Sequence, residues 1–247
     1  MLQEERHNYI IQQIHTNNKV IAAELCKQLK VSLDTIRRDI KELEKRGKVV
    51  KVHGGAISPH FHQPFQPQEV YAREEKKEIA KKALSLIKDG MTLLTGGGTV
   101  MLELARMLPE RLSGVLFTVS PLVALEAAQR STVEVILLGG KLSSNSYICT
   151  GASVSNAISE LHVDLCLLGT NGLSLEDGIT DFDWEVAQVK KAILKASDQK
   201  AFLSISEKLG SSQKMQVCKL NAIDYLITEL NSSDEKFDLY RKACKVL

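Results

Sequence analysis

From Val31 to Leu43 apolar residues recur at helical spacing, Leu33, Ile36, Ile40 and Leu43. At about 100° per residue these four share one side of a helix. Asp34, Arg38 and Lys41 fall opposite them, with Thr35 and Arg37 on the flanks. Ser32 stands ahead of this helix as its expected N-cap, and Gly47 follows a last turn rich in lysine and arginine. Beyond Gly47 the run KVVKVHGGAI alternates apolar and basic residues, the pattern of a half-exposed strand or wing bounded by Gly54 and Gly55. Upstream, Leu2 to His15 places Ile10, Ile11 and Ile14 on one face, and Ile21 to Leu29 does the same with Ala22, Leu25 and Leu29. Three helices and a wing predict a winged helix-turn-helix over residues 1–57, with the helix after Ser32 as the recognition helix.

Residues 58–72 carry three of the chain's five prolines and no helical period, so a linker is expected there. From Arg73 the rhythm changes. A charged helix with Ile79, Ala83, Leu86 and Ile87 on its inner face opens residues 73–247, followed by strand patterns at 92–95, 115–119, 133–138, 164–168, 201–205 and 225–228. Helical stretches at 100–108, 122–130, 154–161 and 185–196 separate most of them. Alternation of this kind predicts an α/β domain with a mainly parallel sheet.

Charge sharpens the division. Residues 1–57 hold 11 Lys and Arg against 7 Asp and Glu, while the rest hold 21 against 23, so a nearly neutral chain contains a basic head on a slightly acidic body. A basic head suits nucleic acid. The exposed face of Ser32, Asp34, Thr35, Arg37, Arg38 and Lys41, with Lys51 and His53 of the wing, is expected to meet DNA. No apolar run approaches the roughly 18 residues that span a bilayer, and the first residues do not read as a signal peptide, so a cytoplasmic protein is expected. Five scattered cysteines without a C-x-x-C pair suggest reduced packing residues. His60 and His62 lack nearby carboxylate or thiolate partners, so no metal and no cofactor is expected.

In the second domain, ligand chemistry is expected where strands end in glycine and helices begin. TLLTGGGTV supplies Gly96, Gly97, Gly98 and Thr99, whose open amides and hydroxyl suit an anion. Ser120, Gly139, Gly140, Asn171, Gly172 and Thr180 stand at other strand ends expected to converge on the same cleft, and Lys190 and Lys208 are candidate cations for it.

The residues Val31, Ser32, Thr35, Ile36, Arg37, Arg38, Asp39, Ile40, Leu43, Glu44 and Gly47, with His53 to Ala56, resemble the head pattern of the DeoR-type bacterial transcriptional regulators. Nearly the whole chain shares this resemblance. It implies a winged helix on operator DNA and a sensor domain, similar in fold to ribose-5-phosphate isomerase, for a phosphorylated metabolite. The family's phosphate loop corresponds to Gly96 to Val100, its T-N-S to Thr118 to Ser120, L-G-G to Leu138 to Gly140, N-G to Asn171 and Gly172, A-x-V-K to Ala187 to Lys190, and S-K-x-G to Ser206 to Gly210. This chain departs at Gly96, where the family has Asp, at Val100 and Val119, and at Glu207, which interrupts the S-K pair. The isomerases' glycine-rich segment ahead of their catalytic residues is absent, so Asp177, Asp181, Asp183 and Glu185 are expected to read ligand hydroxyls or cap a helix rather than catalyse.

The sequence thus predicts a repressor of a carbohydrate-utilisation operon, controlled by a phosphorylated sugar and acting as a dimer or tetramer on paired half-sites. A sugar-phosphate enzyme with a DNA-binding head, and an architectural DNA binder insensitive to ligand, are the competing readings.

Overall fold

The computed structural model describes residues 2–17, 19–57 and 71–247. The chain divides into two compact units, Met1–Phe65 and Gln66–Leu247. All of the expected linker except Tyr71 and Ala72 lies outside the described residues, as do His60 and His62.

The first unit contains helices α1 (Gln3–Asn17), α2 (Ala22–Leu29) and α3 (Leu33–Lys45), and strands β1 (Lys19–Ile21), β2 (Val50–Val52) and β3 (Gly55–Ile57). Its core gathers Ile10, Ile14, Val20, Leu25, Ile36, Ile40, Leu43, Val49 and Ala56. Ser32 caps α3 as expected, its hydroxyl accepting from the Thr35 amide at 3.2 Å. At the other end Gly47, with φ of +67°, lets its own amide reach Glu44 O and that of Lys48 reach Leu43 O, closing the helix in a Schellman motif. Leu33 departs from expectation. As the first residue of the helix it lies beyond the reach of the core and is 40% exposed. The wing hairpin pairs β2 with β3 as expected, but β3 also pairs with β1, a strand too short for its period to show in the sequence. Ile21, read as the start of α2, ends that strand instead. Gly55 is the only residue type that fits beside it, because a Cβ there would stand 1.9 Å from Val20 O.

The second unit is a three-layer α/β/α sandwich. Its strands are β4 (Thr92–Thr95), β5 (Val115–Thr118), β6 (Glu134–Leu137), β7 (Lys141–Leu142), β8 (Cys149–Thr150), β9 (Val163–Gly169), β10 (Gly172–Ser174), β11 (Gly178–Asp181), β12 (Ser197–Leu203), β13 (Met215–Cys218), β14 (Tyr225–Ile227) and β15 (Lys245–Val246). Its helices are α4 (Arg73–Leu84), α5 (Thr99–Arg106), α6 (Pro121–Arg130), α7 (Ala152–Ser159) and α8 (Trp184–Lys195). Seven strands form a wholly parallel sheet in the order β15-β14-β12-β9-β4-β5-β6. All six strands anticipated from the sequence are in it. Alternate residues point to opposite layers: Leu93, Leu165 and Leu167 pack with Ile79 and Ala83 of α4 and Met101 and Leu104 of α5, whereas Leu94, Cys166 and Leu168 pack with Val154 of α7 and Val189 of α8. Helix α4 ends earlier than its apolar period suggests, and i→i+3 bonds carry the chain on through Leu86 and Ile87.

The strand order reverses direction between β4 and β9. From β4 the chain moves outward through β5 and β6, then returns to place β9 on the other side of β4. In an open parallel sheet this switch point is where loops from two neighbouring strands diverge and leave a crevice. Two smaller antiparallel sheets, β10-β11-β13 and β7-β8, were not expected, since strands of two to four residues are too short to set a period.

Candidate functional site

In the first unit, α3 turns two different faces outward and inward. Arg38 and Lys41 are exposed, and among the described residues neither forms a hydrogen bond or ion pair. Arg37 lies 3.5 Å from Asp34, a loose pair one turn apart on the surface. Thr35 and Ser32 are joined hydroxyl to hydroxyl at 2.8 Å within the cap. Lys51 and His53 are exposed in the wing, and the Lys51 amide donates to Glu44 at 3.1 Å, fixing the wing to α3. Asp39, expected only as part of the head pattern and given no task there, is buried. Arg6 reaches it with two bonds of 2.8 and 3.1 Å, and His7 lies 3.2 Å away. The hydrogen bond and charge of Asp39 outweigh burial and push the Arg6 guanidinium further up. Asp39 thereby anchors α1 to the helix whose other face carries Arg38.

The second unit brings most of the expected ligand residues to the switch point. Gly96 follows β4, its amide donating to Leu167 O at 3.2 Å, so the glycine turn begins against β9. Gly97 must lack a side chain, because a Cβ would meet Ile148 Cγ2 at 2.3 Å. Gly98, with φ of +101°, starts α5 without a side-chain cap, leaving the first-turn amides beside Thr99 open. Just before the turn, the Thr95 hydroxyl is buried and has no hydrogen-bond partner among the described residues.

On the β9 side, two lysines from different elements take adjacent carbonyls. Lys190 Nζ, from α8, donates to Gly169 O at 2.7 Å, and Lys208 Nζ, from the 3-10 turn after β12, donates to Thr170 O at 2.6 Å. Lys190 also forms a buried ion pair with Asp181 at 2.7 Å. Burial pushes the Asp181 carboxyl up, but the Lys190 charge and hydrogen bonds from Lys190, the Asp183 amide and Asn171 win and hold it below the usual range. Among the described residues Lys208 forms no ion pair. Burial, reinforced by the charges of Lys76 and Lys190, brings its ammonium down to about 7. A lysine in that condition gains from an anion, which would restore the charge that burial removes.

Other expected residues have internal tasks. Ser120 caps α6, accepting from the Val123 amide at 3.4 Å. Thr180 is buried and accepts from the Gln213 amide at 2.9 Å, while Asn171 donates to Asp181 at 3.0 Å. Gly172 sits against the Thr180 hydroxyl and Gly140 against Thr150 O, both close backbone approaches. Gly139 is exposed after β6. Among the carboxylates, Asp183 caps α8, Asp177 lies in the β10–β11 turn at the far end of that hairpin from Asp181, and Glu185 accepts from Lys141 at 3.3 Å and Thr150 at 3.1 Å. Trp184 opens α8, 61% exposed, between the Asp183 cap and Glu185.

Sequence reasoning missed Lys76. It is buried, donates to Tyr71 O, and is lowered to about 8, chiefly by burial. Its position three residues before Ile79, on the inner face of α4, was the available signal. Among the described residues no cluster of His, Cys, Asp or Glu could hold a metal ion, and no helix is long and apolar enough to cross a membrane.

The DeoR-like helix-turn-helix domain profile matches residues 6–61, and the DeoR C terminal sensor domain profile matches residues 71–230. The HTH-type transcriptional repressor GlcR of Bacillus subtilis is 35% identical, covering 93% of this chain and 89% of its own length. The glycerol-3-phosphate regulon repressor of Escherichia coli is 28% identical, with 93% and 92% covered. Among solved structures, ribose 5-phosphate isomerase A of Methanocaldococcus jannaschii aligns over 56% of this chain and 55% of its own, with TM-score 0.42 and 19% identity. The chain belongs to the DeoR family of transcriptional regulators.

Proposed function

We propose that this protein represses a carbohydrate-utilisation operon and is controlled by a phosphorylated sugar held at the β4–β9 switch point. The observation that carries the sensor reading is the pair of lysines on consecutive carbonyls, Lys190 at Gly169 and Lys208 at Thr170, beside the glycine turn of Gly96, Gly97 and Gly98. The open first-turn amides at Thr99, the Thr95 hydroxyl and the Lys208 ammonium suit a phosphate, and the Asn171 side chain would take a sugar hydroxyl. The name of one relative, the glycerol-3-phosphate regulon repressor, contains a small phosphorylated polyol, which supports a phosphorylated effector.

Arg38 and Lys41 of α3, with Lys51 and His53 of the wing, hold operator DNA in this reading, and Arg37 joins them by leaving its loose pair with Asp34. A single head makes few base contacts, so two or more copies of the chain read paired half-sites. Catalysis has little support. Among the described residues, Asp181 is tied to Lys190, Asp183 to its cap and Glu185 to Lys141 and Thr150, so these three candidate carboxylates are already engaged.

The test is a thermal-shift screen of the full chain with sugar phosphates and the parent sugars. At a hundred times its dissociation constant a ligand adds about 2.7 kcal/mol of stability. A rise with one phosphorylated sugar and none with its parent is expected, together with an altered mobility shift on operator fragments. Operator binding unmoved by every member of the panel would overturn effector control in favour of a ligand-insensitive DNA binder.

A further inference from the structure

The helix that follows directly from the tether to the DNA-binding unit is gripped at two places by the loops of the effector cleft. At its start, the Tyr71 hydroxyl donates to Glu207 Oε2 at 2.6 Å, joining the first described residue after the tether to the neighbour of Lys208. Lys76, one turn into α4, caps the Tyr71 carbonyl and lies 5.7 Å from the centre of the Tyr71 ring. Ala72 between them adopts a left-handed φ of +51°, a conformation that a non-glycine residue keeps only when its surroundings hold it. Further along α4, Lys82 Nζ donates to Thr228 O at 2.8 Å and to Leu230 O. The residue between those two carbonyls, Glu229, accepts from the Ser206 amide at 3.0 Å and from the Ser206 hydroxyl. Both routes lead to the same short segment, Ser206 to Lys208.

Resting on the effector reading above, we propose that Tyr71 and Glu207 form the relay by which occupancy of the cleft is passed to the tether and so to the DNA-binding unit. Lys208 donates to Thr170 O. A phosphate that draws the Lys208 ammonium toward itself moves the backbone of the 206–208 turn, and with it the Glu207 carboxylate that holds Tyr71. Lys76 follows, because its acceptor is the carbonyl of the same tyrosine. Helix α4 itself stays in place, packed through Ile79, Ala80 and Ala83 and pinned by Lys82, so the displacement is delivered to residues 71 and 72 rather than absorbed along the helix. Tyr71 and Glu207 are positioning residues in this account.

The test uses the full chain and two readouts, thermal shift for effector binding and operator affinity for response. The probe is whichever of ribose 5-phosphate, glucose 6-phosphate, fructose 6-phosphate and glycerol 3-phosphate shifts the wild type most. Coupling between two sites commonly amounts to about 5- to 150-fold in affinity. In Tyr71→Phe and Glu207→Gln the probe should still bind within about twofold of wild type, while its effect on operator affinity falls to within about twofold of none. A structural role alone would lower the melting temperature and leave the fold-change intact, and that result overturns the relay. A second measurement needs no effector: Lys208→Met, Tyr71→Phe and the double variant are compared for operator affinity. The relay predicts that Lys208→Met alters affinity and that Tyr71→Phe removes that alteration, whereas effects that multiply independently to within about twofold sink it. A chain that ignores all four probes yet shows this non-additivity keeps the relay and loses the sugar-phosphate reading.

Discussion

Asp181 and Lys190 meet at 2.7 Å in the interior of the sensor domain, one from the end of β11 and the other from the middle of α8. Their contact joins the small antiparallel sheet to α8, and the bond from Lys190 to Gly169 O carries the link on to the end of β9, while Asp181 has almost no contact with solvent. Removing one partner of a buried pair leaves the other charge uncompensated. Asp181→Asn should therefore lower stability by about 3 to 5 kcal/mol, read as the midpoint of urea unfolding of the sensor domain within the full chain. A loss below about 1 kcal/mol would mean that Lys190 finds other partners or reaches water.

The Lys208 ammonium gives a pH dependence with a definite sign. Its folded value of about 7 lies below its ordinary 10.5, so between those two values the unfolded chain holds the extra proton. Stability from this group is full above the ordinary value and is lost as pH falls toward 7. Lys76, at about 8, acts in the same direction over a narrower window. Binding a phosphate reverses the balance, because the anion favours the charged lysine. Calorimetric titration at pH 8 in two buffers of different ionisation heat should show proton uptake on binding, and affinity should weaken as pH rises from 7 to 9. Proton-neutral binding at pH 8 would remove Lys208 from the contact.

Arg38 and Asp39 are neighbours in sequence with opposite roles. Arg38→Ala should leave the fold intact and weaken operator binding by about 1 to 3 kcal/mol if it reads a base edge, or flatten the salt slope by about one unit if it holds a phosphate. Asp39→Ala should instead melt the head at lower temperature, since Arg6 and His7 both lose their acceptor. Operator titrations across a salt series, alongside scanning calorimetry, separate the two outcomes; equal melting of the two variants would contradict the inward placement of Asp39.

Gly55→Ala tests the sheet beneath the wing. The new Cβ would fall 1.9 Å from Val20 O, so β1 and β3 must part. A loss of about 1 to 3 kcal/mol in the head is expected, the range for forcing extra volume into a packed site. Measured by the head's thermal transition, no loss would show that β1 moves freely.

The head and the parallel sheet were legible because their signals are local and long enough to repeat. Ser32 and Gly47 bracket α3, and each central strand carries an apolar run bounded by glycine or polar residues. The links that make the sites work were not legible, because they join residues distant in sequence. Arg6 meets Asp39 across 33 positions and Tyr71 meets Glu207 across 136. Nothing in a window of ten residues distinguishes such partners from any other surface charge. Leu33 failed for a different reason: its helical phase was right, but a first-turn residue projects past the core it should have joined. Ser120 follows β5 and Thr180 lies in β11, and their hydroxyls accept from the first turn of a helix and from the Gln213 amide.

Trp184, the single tryptophan of the chain, stands one residue beyond the helix cap at Asp183 and three beyond Asp181, whose carboxylate receives the backbone amides of Phe182 and Asp183. The segment carrying the indole is thus suspended from the carboxylate that neutralises Lys190. In the effector reading proposed above, a molecule that competes for that carboxylate or that lysine should alter the surroundings of an exposed, spectroscopically unique ring. Trp184 is then expected to act as a built-in optical reporter, with intrinsic fluorescence following effector binding in the native chain without a label.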